Sequence, residues 1–128
     1  MRPLLFAVLI GLLTPAVANA GPEASAFQNC FASTQWRGWS TSSEGDALYL
    51  RVGLNDVYRV GLTQGTHVHR YGDRFLVNHV RGSSWICSAL DLDLSINDPN
   101  GFREPLIART LDKLSPAEIE ALAPRERP

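Results

Sequence analysis

Residues 47–62, ALYLRVGLNDVYRVGL, decide the fold class of this chain. Over Ala47–Leu54 apolar side chains alternate with the others, and one face carries Leu48, Leu50, Val52 and Leu54. This period of two is typical of a β-strand with one buried face. Asn55-Asp56 predicts a tight turn, because both residues tolerate the left-handed backbone that hairpin turns need. Val57–Leu62 is then the returning strand, so the stretch predicts an antiparallel hairpin.

Turn-forming residues divide the following sequence into further strands. The predicted strands are His67–Tyr71, Phe75–Val80, Trp85–Ile96 and Leu106–Thr110. In the third of these, Leu90, Leu92, Leu94 and Ile96 are expected on one face, and Asp91, Asp93, Ser95 and Asn97 on the other. Short strands at this regular spacing indicate a mainly β fold, a small antiparallel meander that closes as a sandwich or a barrel.

The C-terminal residues predict a short helix. Ser115-Pro116-Ala117-Glu118 has the pattern of a capping box, with Ser115 as the N-cap and proline at the first helical position. The helix is expected to run from Pro116 to about Leu122, and Pro124 ends it.

The first twenty residues predict export. Arg2 is followed by the apolar run Leu4–Leu13 and by the small-residue site Ala18-Asn19-Ala20, which together are typical of a secretory signal peptide cleaved after Ala20. The alternative is a membrane anchor, which needs about 20 apolar residues, and Leu4–Leu13 has only about half that length. We therefore expect residues 21–128 to form a single β-rich domain that is periplasmic or secreted, with no stable membrane insertion after cleavage.

Composition and cysteine count restrict the function classes. The 128 residues are 45% hydrophobic and 20% charged with a formal net charge of −1, which argues against disorder and against nucleic-acid binding. The two cysteines, Cys30 and Cys87, are expected to form one structural disulfide in an oxidising compartment. Two free buried thiols are the alternative, and a redox pair would require a closer spacing.

Two stretches carry a family resemblance, GSSWICSALDLDL at residues 82–94 and LSPAEI at residues 114–119. They resemble the ICSPLDLDL-like strand and the LSPEE-like helix start of a small family of exported proteobacterial proteins with a domain of unknown function. Ala89 stands where that family has proline, and Leu106 lies near a position where it commonly has a further cysteine. The resemblance implies an exported β-rich domain and implies no activity.

His67 and His69 are the candidate metal ligands. On a strand, residues i and i+2 share a face, so both imidazoles could reach one zinc ion, with Tyr71, Asp73 or His79 completing the set. The alternative is a polar strand face without an ion. Asp91 and Asp93 are likewise interpreted as the solvated face of a strand rather than as an acid–base pair or a calcium site.

The aromatic residues are the remaining candidate ligand-binding groups, either as a surface platform or as part of the core. They are Trp36, Trp39, Tyr49, Tyr58 and Trp85, of which Trp39 and Tyr58 are expected to be the most exposed. The sequence has no G-x-S-x-G or G-x-G-x-x-G motif, so we predict no catalytic residues and no cofactor.

Two functions follow from these residues. The first is an exported non-catalytic β domain that binds an envelope component, a protein partner or a small ligand through Trp39, Tyr58, His67 and His69. The second is a zinc-binding protein that uses His67 and His69, with hydrolysis as a candidate reaction.

Overall fold

The structure, a computed structural model, describes residues 29–70 and 72–128. The predicted signal peptide, residues 1–20, and Tyr71 lie outside the described residues. Within them nine strands form three antiparallel sheets. The strands are β1 (Phe31–Ala32), β2 (Trp36–Thr41), β3 (Ala47–Val52), β4 (Asp56–Leu62), β5 (Phe75–Asn78), β6 (Trp85–Ile86), β7 (Leu94–Asn97), β8 (Arg103–Leu106) and β9 (Ala108–Lys113).

The strand order explains the architecture. One sheet has the order β2-β3-β4-β9, a second has the order β5-β7-β8, and β1 pairs with β6. A single hydrophobic cluster contains residues from all three sheets, so the two larger sheets share one core in a sandwich-like arrangement. The prediction of a mainly β, antiparallel fold is confirmed. The sheets do not close into a barrel, and the topology is not a simple meander, because β9 returns to pair with β4.

The central hairpin forms as predicted, with a different turn. Leu48, Leu50 and Val60 are fully buried on its inner face. Val52 pairs with Asp56, so the turn consists of residues 53–55, and Gly53 supplies the positive φ of 60°. The expected turn at Asn55-Asp56 is therefore wrong, and Leu54 projects from the loop with 91% of its surface exposed.

The predicted strand His67–Tyr71 is wrong over its described residues. Residues 67–70 have no strand pairing, although Val68 N–H donates to Gly45 C=O at 2.8 Å. The buried Val68 side chain belongs to the core cluster and fixes the segment beside the β2–β3 turn. The segment is therefore held by the packing of Val68 and by one backbone hydrogen bond, without the pairing of a β-strand.

The predicted strand Trp85–Ile96 is broken into β6, a 3-10 turn at Ala89–Asp91, and β7. The Asp91 carboxylate accepts hydrogen bonds from the backbone N–H groups of Cys87 and Ser88, both at 2.9 Å, and so closes a local turn. Such side-chain bonds compete with strand pairing. Leu90 is consequently 95% exposed rather than on a core face.

The predicted strand Leu106–Thr110 is two strands, because the exposed Ile107 separates β8 from β9. The predicted helix is confirmed as α1, Pro116–Ala121. Ser115 Oγ accepts from Glu118 N–H at 3.2 Å, and Glu118 Oε2 accepts from Ser115 N–H at 2.7 Å. No helix in the described part of the chain has the length and apolar content needed to cross a bilayer.

Candidate functional site

The cysteine pair forms the expected disulfide. Cys30 and Cys87 are bonded, with their Cα atoms 4.2 Å apart, next to the β1–β6 pair in which Phe31 lies opposite Ile86. The bond therefore ties the residues that precede β1 to the middle of the chain. This placement is that of a structural cross-link.

The aromatic residues divide between the core and the surface. Tyr58 was expected to be exposed, and this is wrong, because the residue is 2% exposed and the centre of its ring lies 4.7 Å from that of Phe31. Burial raises the pKa of the Tyr58 hydroxyl above its ordinary value, which the nearby Lys113 ammonium partly offsets. Trp39 was also expected to be among the most exposed, and this is wrong, because it is half-buried on β2 whereas Trp85 on β6 is 56% exposed.

A groove of about 420 Å³ lies between β2 and β5. We call it the edge groove, and its lining residues are Ser33, Thr34, Trp36, Arg37, Gly38, Trp39, Leu76, Asn78 and Val80. Trp36 and Trp39 are three positions apart, which in a regular strand would place them on opposite faces. A β-bulge between Trp36 and Gly38 shifts the register, and both indoles pack against the core cluster.

Both strands that flank the edge groove are sheet edges in the described part of the chain. Ser42 N–H donates to Ala47 C=O, and backbone groups alternate along an antiparallel pair, so Trp39 and Thr41 direct their N–H and C=O groups away from β3. By the same alternation, the bond from His79 N–H to Asp93 C=O implies that residues 76 and 78 point their backbone groups away from β7. The groove thus lies between two rows of backbone groups without strand partners.

A second, smaller pocket of about 240 Å³ adjoins the end of β2. We call it the basic pocket, and it is lined by Ser40, Thr41, Ser42, Ser43, His69, Arg70 and Arg125. Arg70 connects it to the edge groove, because its guanidinium lies 5.1 Å from the centre of the Trp39 ring and Nη1 donates to Trp39 C=O at 2.7 Å. Arg125 donates to Ser43 Oγ at 3.1 Å.

Two carboxylates lie near the basic pocket, and each is bonded to a serine. Glu126 Oε1 accepts from the side chain of Ser43 at 2.6 Å and from its backbone N–H at 2.7 Å. These bonds hold the pKa of Glu126 below its ordinary value. Asp46 accepts from Ser42 Oγ at 2.6 Å. Neither carboxylate lines the pocket.

No protein-family model, curated protein or solved structure matches this chain. The resemblance to a family of exported proteins stays a prediction. A function has to be argued from the geometry of these two adjacent sites.

Each of the three histidines has a different contact or site. His67 Nδ1 lies 3.1 Å from Glu44 C=O, His69 lines the basic pocket, and His79 Nε2 lies 3.2 Å from Ser95 Oγ. Among the residues described, no three His, Cys, Asp or Glu side chains are grouped so that they could hold a metal ion. Zinc binding stays a prediction for which the described residues supply no third ligand.

Asp91 and Asp93 do not share a strand face, and this prediction is wrong. Asp91 caps the 3-10 turn, and its backbone hydrogen bonds from Cys87 and Ser88 hold its pKa below the ordinary value. Asp93 instead pairs with Arg81 at 2.6 Å. The two carboxylates therefore have separate structural partners and do not form an acid–base pair.

The contact between His79 and Ser95 is not a nucleophile pair. Ser95 is fully buried, and its Oγ donates to Asn97 Oδ1 at 2.9 Å, while His79 Nε2 lies 3.2 Å from the same oxygen. An activated serine requires the histidine to accept the hydroxyl proton and also requires access to substrate. The contact joins β7 to the residue that follows β5.

Proposed function

We propose that the chain is an exported, non-catalytic binding domain that holds an extended peptide segment of a protein partner in the edge groove. The observation that carries this proposal is the position of the groove between the unpaired edges of β2 and β5. An extended peptide added to a sheet edge gains main-chain hydrogen bonds, while alternate side chains enter pockets.

The lining of the groove fits such a segment. The outward N–H of Trp39 on one side and the outward backbone groups of residues 76 and 78 on the other can pair with a peptide backbone, while Trp39 C=O accepts from Arg70. The Trp36 and Trp39 indoles and Leu76 offer apolar surface to the peptide side chains that point inward. Hydrogen bonds supply affinity, and the two indoles supply selectivity for apolar residues.

Export to the periplasm or beyond the cell is the second part of the proposal. The signal-peptide pattern of residues 1–20 supports it, and so does the Cys30–Cys87 disulfide, because disulfides persist in oxidising compartments. Partners would accordingly be envelope or secreted proteins with an accessible extended segment.

The test is a selection of linear ten-residue peptides from a random display library on the purified protein. We expect selected peptides to bind the wild type and the Trp85→Ala control equally, and to bind Trp39→Ala at least about ten-fold more weakly. Trp85 is a matched control because it is the more exposed indole and lies outside the groove. Hydrogen exchange of the Trp39 and Leu76 amides should slow when peptide binds.

Two results would overturn the proposal. One is a library that yields no binder. The other is a set of binders whose affinity is unchanged in Trp39→Ala and that leave exchange at Trp39 and Leu76 unaltered.

A further inference from the structure

We infer that the basic pocket binds a carboxylate of the same peptide, so that the domain selects extended peptides carrying an acidic side chain or a free C-terminus beside the apolar residue in the edge groove. This inference rests on the proposed function and names its substrate class. The carboxylate position follows from the contacts of Arg70, Arg125 and His69.

Continuity between the two sites is the first step. β2 runs from Trp36 and Trp39 in the edge groove to Ser40 and Thr41 in the basic pocket. Trp39 and Thr41 are two positions apart and share a strand face, at a separation of about 7 Å along the strand. A peptide paired with this edge therefore places a carboxylate in the pocket about two residues from the side chain that covers Trp39.

The second observation is that Arg70 and Arg125 have N–H groups available for a ligand. A guanidinium has five N–H donors, and the bonds of Arg70 to Trp39 C=O and of Arg125 to Ser43 Oγ each use one nitrogen. Both side chains are exposed, as is His69. The remaining N–H groups can therefore bind a carboxylate, and arginine forms such bonds in a bidentate geometry.

The local charge is the third step. Two carboxylates beside the pocket, Glu126 and Asp46, accept hydrogen bonds from the lining residues Ser43 and Ser42, and neither carboxylate lines the pocket itself. The chain as a whole has a formal net charge of −1, so no overall field attracts anions. A preference for carboxylates would come from the pocket residues themselves.

The experiment compares matched peptides based on the strongest binder from the display library. One pair differs by Asp or Glu against Asn or Gln at its acidic position, and a second pair differs by a C-terminal acid against a C-terminal amide. In one of the two pairs we expect the carboxylate peptide to bind about ten-fold more tightly, equivalent to about 1.4 kcal/mol. The pair that shows the difference identifies the source of the carboxylate.

Matched variants assign the preference to the pocket. Arg125→Gln should reduce the difference in affinity between the carboxylate and the amide peptide to about two-fold. His69→Gln is a second pocket variant, in which this difference should also fall. Arg109→Gln is the control, because Arg109 is exposed on β9 at the opposite edge of the same sheet and the variant changes net charge equally. The Arg109→Gln protein should keep the full difference.

Equal affinity for acid and amide peptides would overturn this inference and leave the edge groove as a peptide site. A preference that persists in both Arg125→Gln and His69→Gln would overturn it as well. A library that yields no binder, or binders insensitive to Trp39→Ala, would overturn the proposed function and this inference together.

Discussion

Substitution of Gly45 tests how closely the β2–β3 turn packs against Val68, which lies next to His69 and Arg70 in the sequence. This glycine lies in the β2–β3 turn with φ of 76°, and its carbonyl accepts the Val68 N–H at 2.8 Å. A Cβ at this position would lie 2.5 Å from Val68 O and 2.6 Å from Val68 N. These are backbone atoms, and the Val68 side chain is buried in the core, so the neighbour cannot simply rotate away.

The expected loss of stability for Gly45→Ala has two parts. A left-handed backbone costs a residue with a Cβ about 1–2 kcal/mol, and forcing atoms into a packed region costs about 1–3 kcal/mol. Gly65→Ala is the matched control, since Gly65 has φ of 85° but a Cβ added there would meet no atom within 4 Å. Only the first part applies there, so Gly45→Ala should be less stable than Gly65→Ala by about 2 kcal/mol.

Urea unfolding followed by tryptophan fluorescence measures the difference. With a slope of about 1.5 kcal/mol/M, a gap of about 2 kcal/mol lowers the midpoint of Gly45→Ala by about 1.3 M relative to Gly65→Ala. Equal midpoints for the two variants would refute the close approach of Gly45 and Val68.

Three further predictions concern the core, the cross-link and the 3-10 turn. Leu50→Ala should lower the free energy of unfolding by about 2–5 kcal/mol, whereas Leu54→Ala should change it by less than about 0.5 kcal/mol, because Leu50 is buried and Leu54 is exposed; similar urea midpoints would contradict this. Replacing Cys30 and Cys87 by alanine should remove about 4 kcal/mol, and an unchanged melting temperature would argue against the bond. The Asp91 pKa is lowered by its bond from Cys87 N–H, so its stabilisation is full above the ordinary value of 3.8 and is lost as pH falls through the lower folded pKa. In acid titrations followed by circular dichroism, the stability gap between wild type and Asp91→Asn should narrow as pH falls, and a gap that widens would exclude this account.

Local patterns were sufficient for the elements that depend on neighbours in sequence. The alternation of Leu48, Leu50 and Val52 predicted β3, and the Ser115–Glu118 capping box predicted α1. Each pattern spans only a few residues. The structure shows the first as buried leucine side chains and the second as capping hydrogen bonds. The disulfide was predictable from the number of cysteines and from the predicted signal peptide.

The same alternation failed over residues 90–96, because a polar side chain decided the backbone. Leu90 and Leu92 have the spacing of a strand face, yet the Asp91 carboxylate closes a turn between them. Periodicity records which residues are apolar and does not record a competing side-chain hydrogen bond.

The candidate site was predictable only in part. Trp39 and His69 were named from residue type, but the edge groove depends on the bulge at Trp36–Gly38 and on the packing of β5 against distant residues. Arg125 comes to the basic pocket from the C-terminal segment, where it contacts Ser43. Such long-range contacts have no signature in the local sequence.

Because β4 pairs with β9, one side of β4 stays unpaired while the intervening strands are synthesised. β2, β3 and β4 are contiguous and can form a meander early, but the strand that covers the free side of β4 is made only after β5–β8. Until then, a row of open main-chain groups beside Tyr58 and Val60 could template pairing between neighbouring nascent chains. The interval lasts until β9 has been synthesised and covers the free side of β4.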